Sequence, residues 1–132
     1  MHIEPTRSQA EAFAATAEGE SAEPVVMLNL LRFAEGTGAE AYGRYATAVS
    51  EHLERVGGSI VWAGACDQAL IGPEAREWDA AAIVRYPSRG AFLEMVSDPG
   101  YLEIAADRAA GLADSRLIPC SAAPPGGGAG PA

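Results

Sequence analysis

Residues Val25–Phe33 read VVMLNLLRF, an apolar run broken only by the amide of Asn29 and the cation of Arg32. Glu23-Pro24 precedes the run and Glu35-Gly36 follows it. Its length and flanks suit a strand, and apolar residues on both parities suit a strand buried on both faces. Alternation sets Met27, Asn29, Leu31 and Phe33 on one face and Val26, Leu28, Leu30 and Arg32 on the other. A buried amide without partners costs about 1–3 kcal/mol. Asn29 therefore either bonds a neighbouring backbone group or faces a polar cavity, and it points away from Arg32.

Working outward from that strand, Thr37-Gly38-Ala39-Glu40 has capping-box spacing. It predicts a helix whose stripe is Tyr42, Ala46, Val49, Leu53 and Val56, stopped by Gly57-Gly58. Residues 59–66 (SIVWAGAC) form a second strand, and a long connection turns at Gly72-Pro73, with room for a short strand at residues 69–71. Residues 79–86 (DAAAIVRY) form the third strand. Ser88 caps a helix carrying Phe92, Met95 and Val96. Asp98-Pro99 breaks that helix and starts another, with Tyr101, Ala105, Ala109 and Leu112 on one face. Residues 115–120 (SRLIPC) are a fourth strand.

The resulting order, β-α-β-β-α-β, is α+β and ferredoxin-like: a four-stranded antiparallel sheet with helices on one face. Strands apolar on both faces leave the other sheet face to be covered, and a second copy packed sheet to sheet is the simplest cover. Thr6-Arg7-Ser8-Gln9 is a further capping box and opens a short accessory helix ending near Gly19. The chain thus divides into an accessory helix in residues 1–22, the main domain in 23–120 and a tail in 121–132. The tail (SAAPPGGGAGPA) is too poor in large apolar groups to offset ordering entropy and is expected to be disordered.

With 132 residues, 48% hydrophobic and 20% charged, the chain fits one globular domain. Its net charge of −9, from 18 acidic and 9 basic residues, lacks the basic face that nucleic acids or anionic membranes require. No apolar segment nears the roughly 20 residues that cross a bilayer, and the N-terminus lacks signal-peptide character. A cytoplasmic location is the expectation. Cys66 and Cys120 are too few for a disulfide framework or zinc motif; they read as buried thiols, or else as neighbours on adjacent strands near a pocket.

Four stretches then resemble a known family: MLNLLRF at 27–33, VGGSIVWAG at 56–64, WDAAAIVRYPSRGAFLEMVSDPGYLEI at 78–104 and DRAAGLADSRLI at 107–118. They resemble a bacterial family known as domain of unknown function 1330, in the dimeric α/β-barrel superfamily. The resemblance covers residues 4–118. Tyr-Pro-Ser after a strand, Asp-Pro-x-Tyr, and a helix ending in Arg-Ala-Ala are its most specific signs. It implies a paired ferredoxin-like dimer. The superfamily includes cofactor-free quinone-forming monooxygenases, polyketide cyclases, muconolactone isomerases, haem-degrading enzymes and chlorite dismutase-like proteins. These share a fold and a pocket location but no catalytic set, so no reaction carries over. Family members often place histidine before the arginine of the last helix. Here Asp107 precedes Arg108, which puts any role resting on that histidine in question.

Candidate chemistry is sparse. His52 lies on the first main helix, two turns after Tyr45 on the same face, and is either a general acid or base or a partly exposed helix histidine beside Glu51 and Glu54. His2 sits at a terminus expected to be mobile. Trp62 is expected to face inward, as core or as the wall of a cavity for a flat ligand. Arg85 shares a face with Asp79, toward the dimer side, and serves as an ion-pair partner or a ligand-carboxylate or enolate site. Arg108 either closes over a pocket mouth or pairs with Glu103 or Asp107. Tyr45, Tyr86 and Tyr101 offer phenols to an oxyanion, whereas Tyr42 reads as core. No phosphate loop, metal cluster or nucleophile elbow is visible.

The functional expectation is a small cofactor-independent enzyme acting on an aromatic or polyketide-like metabolite, of isomerase, cyclase or monooxygenase type. Asn29, His52 and Arg85 are its candidate catalytic residues. Trp62, Tyr45, Tyr86, Tyr101 and Arg108 are its candidate binding residues, with no cofactor or metal. The alternative is a non-catalytic dimeric module that binds a small hydrophobic ligand or a partner protein.

Overall fold

β1 (Val25–Phe33) is a central strand, held antiparallel to β3 (Ala80–Tyr86) on one side and β4 (Leu112–Cys120) on the other. The computed structural model describes residues 1–18 and 23–122. β2 (Ser59–Ala65) pairs with β3, giving the order β2-β3-β1-β4. Helices α2 (Gly38–Arg55), α3 (Arg89–Ser97) and α4 (Pro99–Gly111) connect the strands, and α1 (Arg7–Glu18) precedes them. This is the ferredoxin-like arrangement expected from the sequence. Among the described residues, no helix is long and apolar enough to cross a membrane.

Alternation decides what each face does. Val25, Met27 and Leu31 are buried, and Val25 and Met27 join Tyr45, Val49, Leu53, Tyr86, Met95 and Tyr101 in one core cluster. That face of β1 is therefore the helix face, and Asn29 lies on it. The opposite face carries Val26, Leu28 and Leu30, with Ile83 and Ile118 opposite Leu28 on the flanking strands. No helix covers it.

Local chemistry explains the element ends. Thr6 and Gln9 bond reciprocally at the start of α1 (2.9 and 3.1 Å), the full capping box. The Ser88 hydroxyl accepts from Ala91 N at 3.0 Å, and Asp98 accepts from Gly100 N at 2.7 Å. Gly57 takes a left-handed φ of 78° after α2, and Gly58 N returns to Leu53 O at 2.8 Å. α1 docks on α3 through Phe13 and Phe92, whose ring centroids lie 5.4 Å apart.

Several expectations are corrected. Thr37 precedes α2 but makes no side-chain cap bond, because its φ of −93° and ψ of 13° are not the extended geometry a cap needs. The buried line of α2 is Ala41, Tyr45, Val49 and Leu53; Ala46 is exposed. No strand forms at residues 69–71. β4 begins at Leu112 rather than Ser115, since Leu112 already has extended geometry (φ −110°, ψ 133°) directly after α4. Cys66 is half-buried and Cys120 exposed, and they belong to opposite edges of the sheet rather than adjacent strands. The expected end of the first helix near Gly19 and most of the expected tail lie outside the described residues.

Candidate functional site

The polar groups of the helix–sheet layer gather around α2 and α4. Tyr45 on α2 and Tyr101 on α4 are 8% and 9% exposed, and their hydroxyls lie 2.9 Å apart. Burial pushes the Tyr45 phenol well above its ordinary range, and the neighbouring Tyr101 adds to the shift. Burial likewise raises Tyr42 and Tyr86. These phenols stay protonated, so they can donate to an oxyanion but not act as phenolate bases. One hydrogen lies between the paired hydroxyls, which leaves the other free to serve a second acceptor.

His52 stands edge-on to Tyr101, with ring centroids 6.2 Å apart. Its Nδ1 is buried and has no hydrogen-bond partner among the described residues. The ring also lies against the first turn of α4: a Cβ at Gly100 would stand 3.2 Å from His52 Cε1 and 3.2 Å from Asp98 Oδ1. The glycine thus makes room for both side chains. Asp98 is held below the ordinary carboxylate range, first by Gly100 N–H and then by the nearby charge of Arg55. Arg55 pairs with it at 3.2 Å.

The structure brings His52, Tyr45, Tyr86 and Tyr101 to one layer, and Asn29 faces the same side of the sheet. The Asn29 amide nitrogen donates weakly to Met27 O at 3.3 Å and Ala82 O at 3.5 Å, so the amide is partly satisfied by strand backbone. On the β3 side its neighbours are Ala82 and, beyond it, Ala63, which carry little bulk, and on the β4 side it stands beside Leu117. Arg108 pairs with neither Glu103 nor Asp107. It donates to the Ile3 carbonyl at 2.7 Å, while Asp107 meets Arg44 at 3.3 Å.

Trp62 and Arg85 are elsewhere. Register pairs Trp62 with Ile83 and Arg85 with Val26, all on the helix-free face. Trp62 is 52% exposed, which corrects the inward orientation expected of it. A bulge between Ile60 and Trp62 shifts the parity of β2 and turns the indole out. The ring lies over Gly64, where a Cβ would sit 2.7 Å from it. Arg85 cannot share a site with Asn29 within one chain. Among the described residues it makes no ion pair, with Asp79 bound instead to Arg76 at 3.1 Å and to Phe33 N at 2.8 Å.

Two features escaped sequence reasoning. Asp98 was legible only as a cap, yet it also faces His52. The His2–Ile3 segment, expected to be mobile, is fastened by its backbone: His2 N donates to Asp114 at 2.7 Å, and the Ser115 hydroxyl donates to His2 O at 2.6 Å. No local pattern announces contacts between residues more than 100 apart. Among the described residues, no group of three or more His, Cys, Asp or Glu could hold a metal ion.

The chain resembles a protein of unknown function from Rhodopseudomonas palustris, at 41% identity over 92% of this chain and 96% of that one, with a TM-score of 0.83. A dimeric ferredoxin-like protein of unknown function from Thermobifida fusca shares the fold at 17% identity, covering 75% and 91% of the two chains (TM-score 0.54). So does SnoaB, a cofactor-independent oxygenase from Streptomyces nogalater, at 21% identity over 76% and 94% (TM-score 0.53). No curated protein matches the chain. The family described as "Domain of unknown function (DUF1330)" matches residues 30–119, and the chain belongs to that family.

Proposed function

We propose that this protein is a small enzyme that works without a cofactor on an aromatic or polyketide-like metabolite, by acid–base chemistry in the helix–sheet layer. The buried, unpartnered Nδ1 of His52 carries this reading. Such a nitrogen costs about 1–3 kcal/mol unless something pairs with it, and an acidic C–H or O–H of a ligand supplies that partner. The spare hydrogen of the Tyr45–Tyr101 pair would then stabilise the oxyanion that forms as the proton leaves. Asn29, between Ala82 on one side and Leu117 on the other, would position the ligand. The fold likeness to a cofactor-independent oxygenase supports the class and names no substrate.

The same reading makes the protein a homodimer in a cytoplasmic setting. Val26, Leu28, Leu30, Ile83, Trp62 and Ile118 line an uncovered sheet face, which suits a second copy. The fold likeness to a dimeric protein agrees.

The test is a turnover screen of enolisable aromatic and polyketide-type compounds, followed by variants on whichever is consumed. His52→Ala should lower kcat about 10²–10⁴-fold, the usual range for a lost general base. Full activity in both His52→Ala and Asn29→Ala removes these roles. One observation favours a second reading, a non-catalytic dimeric binding module. Two shallow depressions flank α2, and neither touches Asn29, Trp62 or Arg85. Binding of such compounds without consumption would decide for it.

A further inference from the structure

The β2–β3 connection ends in two adjacent large apolar residues with no place to go: Leu70 is 99% exposed and Ile71 94%. Its base, in contrast, is fastened. The Trp78 ring lies between two guanidinium groups, Arg116 at 5.0 Å and Arg32 at 5.6 Å from its centroid. Arg32 Nε also donates to Glu77 O at 2.9 Å, Arg76 pairs with Asp79 at 3.1 Å, and Cys66 N closes the loop on Asp79 O at 2.9 Å. Register places Arg32 and Arg116 on the helix-free face of the sheet, alongside Leu28 and Leu30. The loop therefore leaves the sheet from that face, and whatever covers the face meets the loop.

We propose that this loop is a dimer arm whose Leu70–Ile71 tip seats on the second copy of the chain, extending the sheet-to-sheet interface. The inference rests on the dimer proposed above. A loop fixed at its base gives up little freedom on docking, so the burial of its tip goes mainly into affinity. Twofold symmetry doubles the effect, since each copy contributes one arm.

The test is sedimentation velocity over a dilution series on the full chain, comparing wild type, the double variant Leu70→Ser/Ile71→Ser, and Ile83→Glu on the sheet face. The tip makes no intrachain packing, so the double variant should keep the wild-type circular dichroism spectrum. Its dimer dissociation constant should rise about 100-fold, equivalent to roughly 2.8 kcal/mol at 1.4 kcal/mol per tenfold, while Ile83→Glu should be monomeric. A dimer broken by Ile83→Glu but unchanged in the arm variant overturns the arm and keeps the sheet interface. A wild type monomeric at every concentration overturns both. Unchanged self-association with loss of binding to phosphatidylcholine vesicles would assign the tip to a lipid surface and overturn the arm.

Discussion

Gly43 and Gly111 both lie in helices, yet alanine should move stability in opposite directions at the two sites. Gly111 ends α4 where it crosses the start of α2. A Cβ there would stand 2.7 Å from Tyr42 N, 2.8 Å from Gly38 O and 2.9 Å from Tyr42 Cβ. Ordinary contact begins near 3.4 Å, so α2 and α4 would have to part by about 0.7 Å at the nearest pair. The two nearest atoms are backbone, which no rotamer change relieves. Overpacking of this kind costs about 1–3 kcal/mol, offset by up to about 1 kcal/mol of helix propensity. Gly111→Ala should therefore lose roughly 1–2 kcal/mol.

At Gly43 a Cβ meets nothing within 4 Å. Gly43→Ala should gain about 0.5–1 kcal/mol, chiefly by restricting the unfolded chain. Urea denaturation at one protein concentration reads both, because self-association otherwise shifts apparent stability. With a slope near 2 kcal/mol per molar, the midpoint should fall by about 0.5–1 M for Gly111→Ala and rise by about 0.25–0.5 M for Gly43→Ala. A Gly111→Ala midpoint at or above wild type would refute the close helix crossing. The position of Tyr42 and Tyr45 depends on that crossing.

The hydroxyl pair makes a second prediction. Tyr45→Phe and Tyr101→Phe should each cost about 1–3 kcal/mol by stranding a buried hydroxyl, while the double variant costs much less than their sum. Additive values in a double-mutant cycle would count against the pairing. A third concerns acid stability. Asp114 is held well below its ordinary value of 3.8, first by the His2 backbone N–H and then by Ser115 N–H and Arg116. A depressed carboxylate contributes in full above its unfolded value and loses that contribution as pH falls below it. Wild type should therefore lose more thermal stability than Asp114→Asn between pH 5 and 3, and parallel acid limbs would dismiss the N-terminal contact.

Much of the fold was legible because its signals are local. Thr6 with Gln9, Ser88, and Asp98 before Pro99 each answer a backbone need within three residues, and strand parity on β1 and β3 was readable from apolar spacing alone. Thr37 shows the limit: the residue types of a capping box were present, but the preceding turn, with Gly36 at a φ of 74°, left Thr37 in the wrong geometry. Trp62 shows another. Alternation across residues 60–62 would place Ile60 and Trp62 together, and a single bulged residue separates them. The bulge has no signature in SIVWAGA. The ion-pair alternative for Arg108 missed its acceptor, Ile3 O, because that carbonyl is 105 residues away, beyond any helix-spacing rule.

The two faces of the sheet divide the candidate residues by environment. His52, Tyr45, Tyr86, Tyr101 and Asn29 share the helix side of the sheet, where burial keeps phenols neutral and leaves an imidazole nitrogen unpaired. Trp62 and Arg85 share the other side with the apolar row at Leu28, Ile83 and Ile118, where the uncovered surface calls for a partner. A β-strand separates these environments by one peptide unit, about 3.3 Å along the chain. On the function proposed above, β1 would carry ligand chemistry at Asn29 and assembly at Leu28 and Leu30 without either intruding on the other. That proposal accounts for VVMLNLLRF being apolar on both parities and yet admitting one amide. The amide stands on the helix face, where strand carbonyls at Met27 and Ala82 accept from it, while along β1 the other face stays apolar until Arg32, at its rim, turns to the base of the loop.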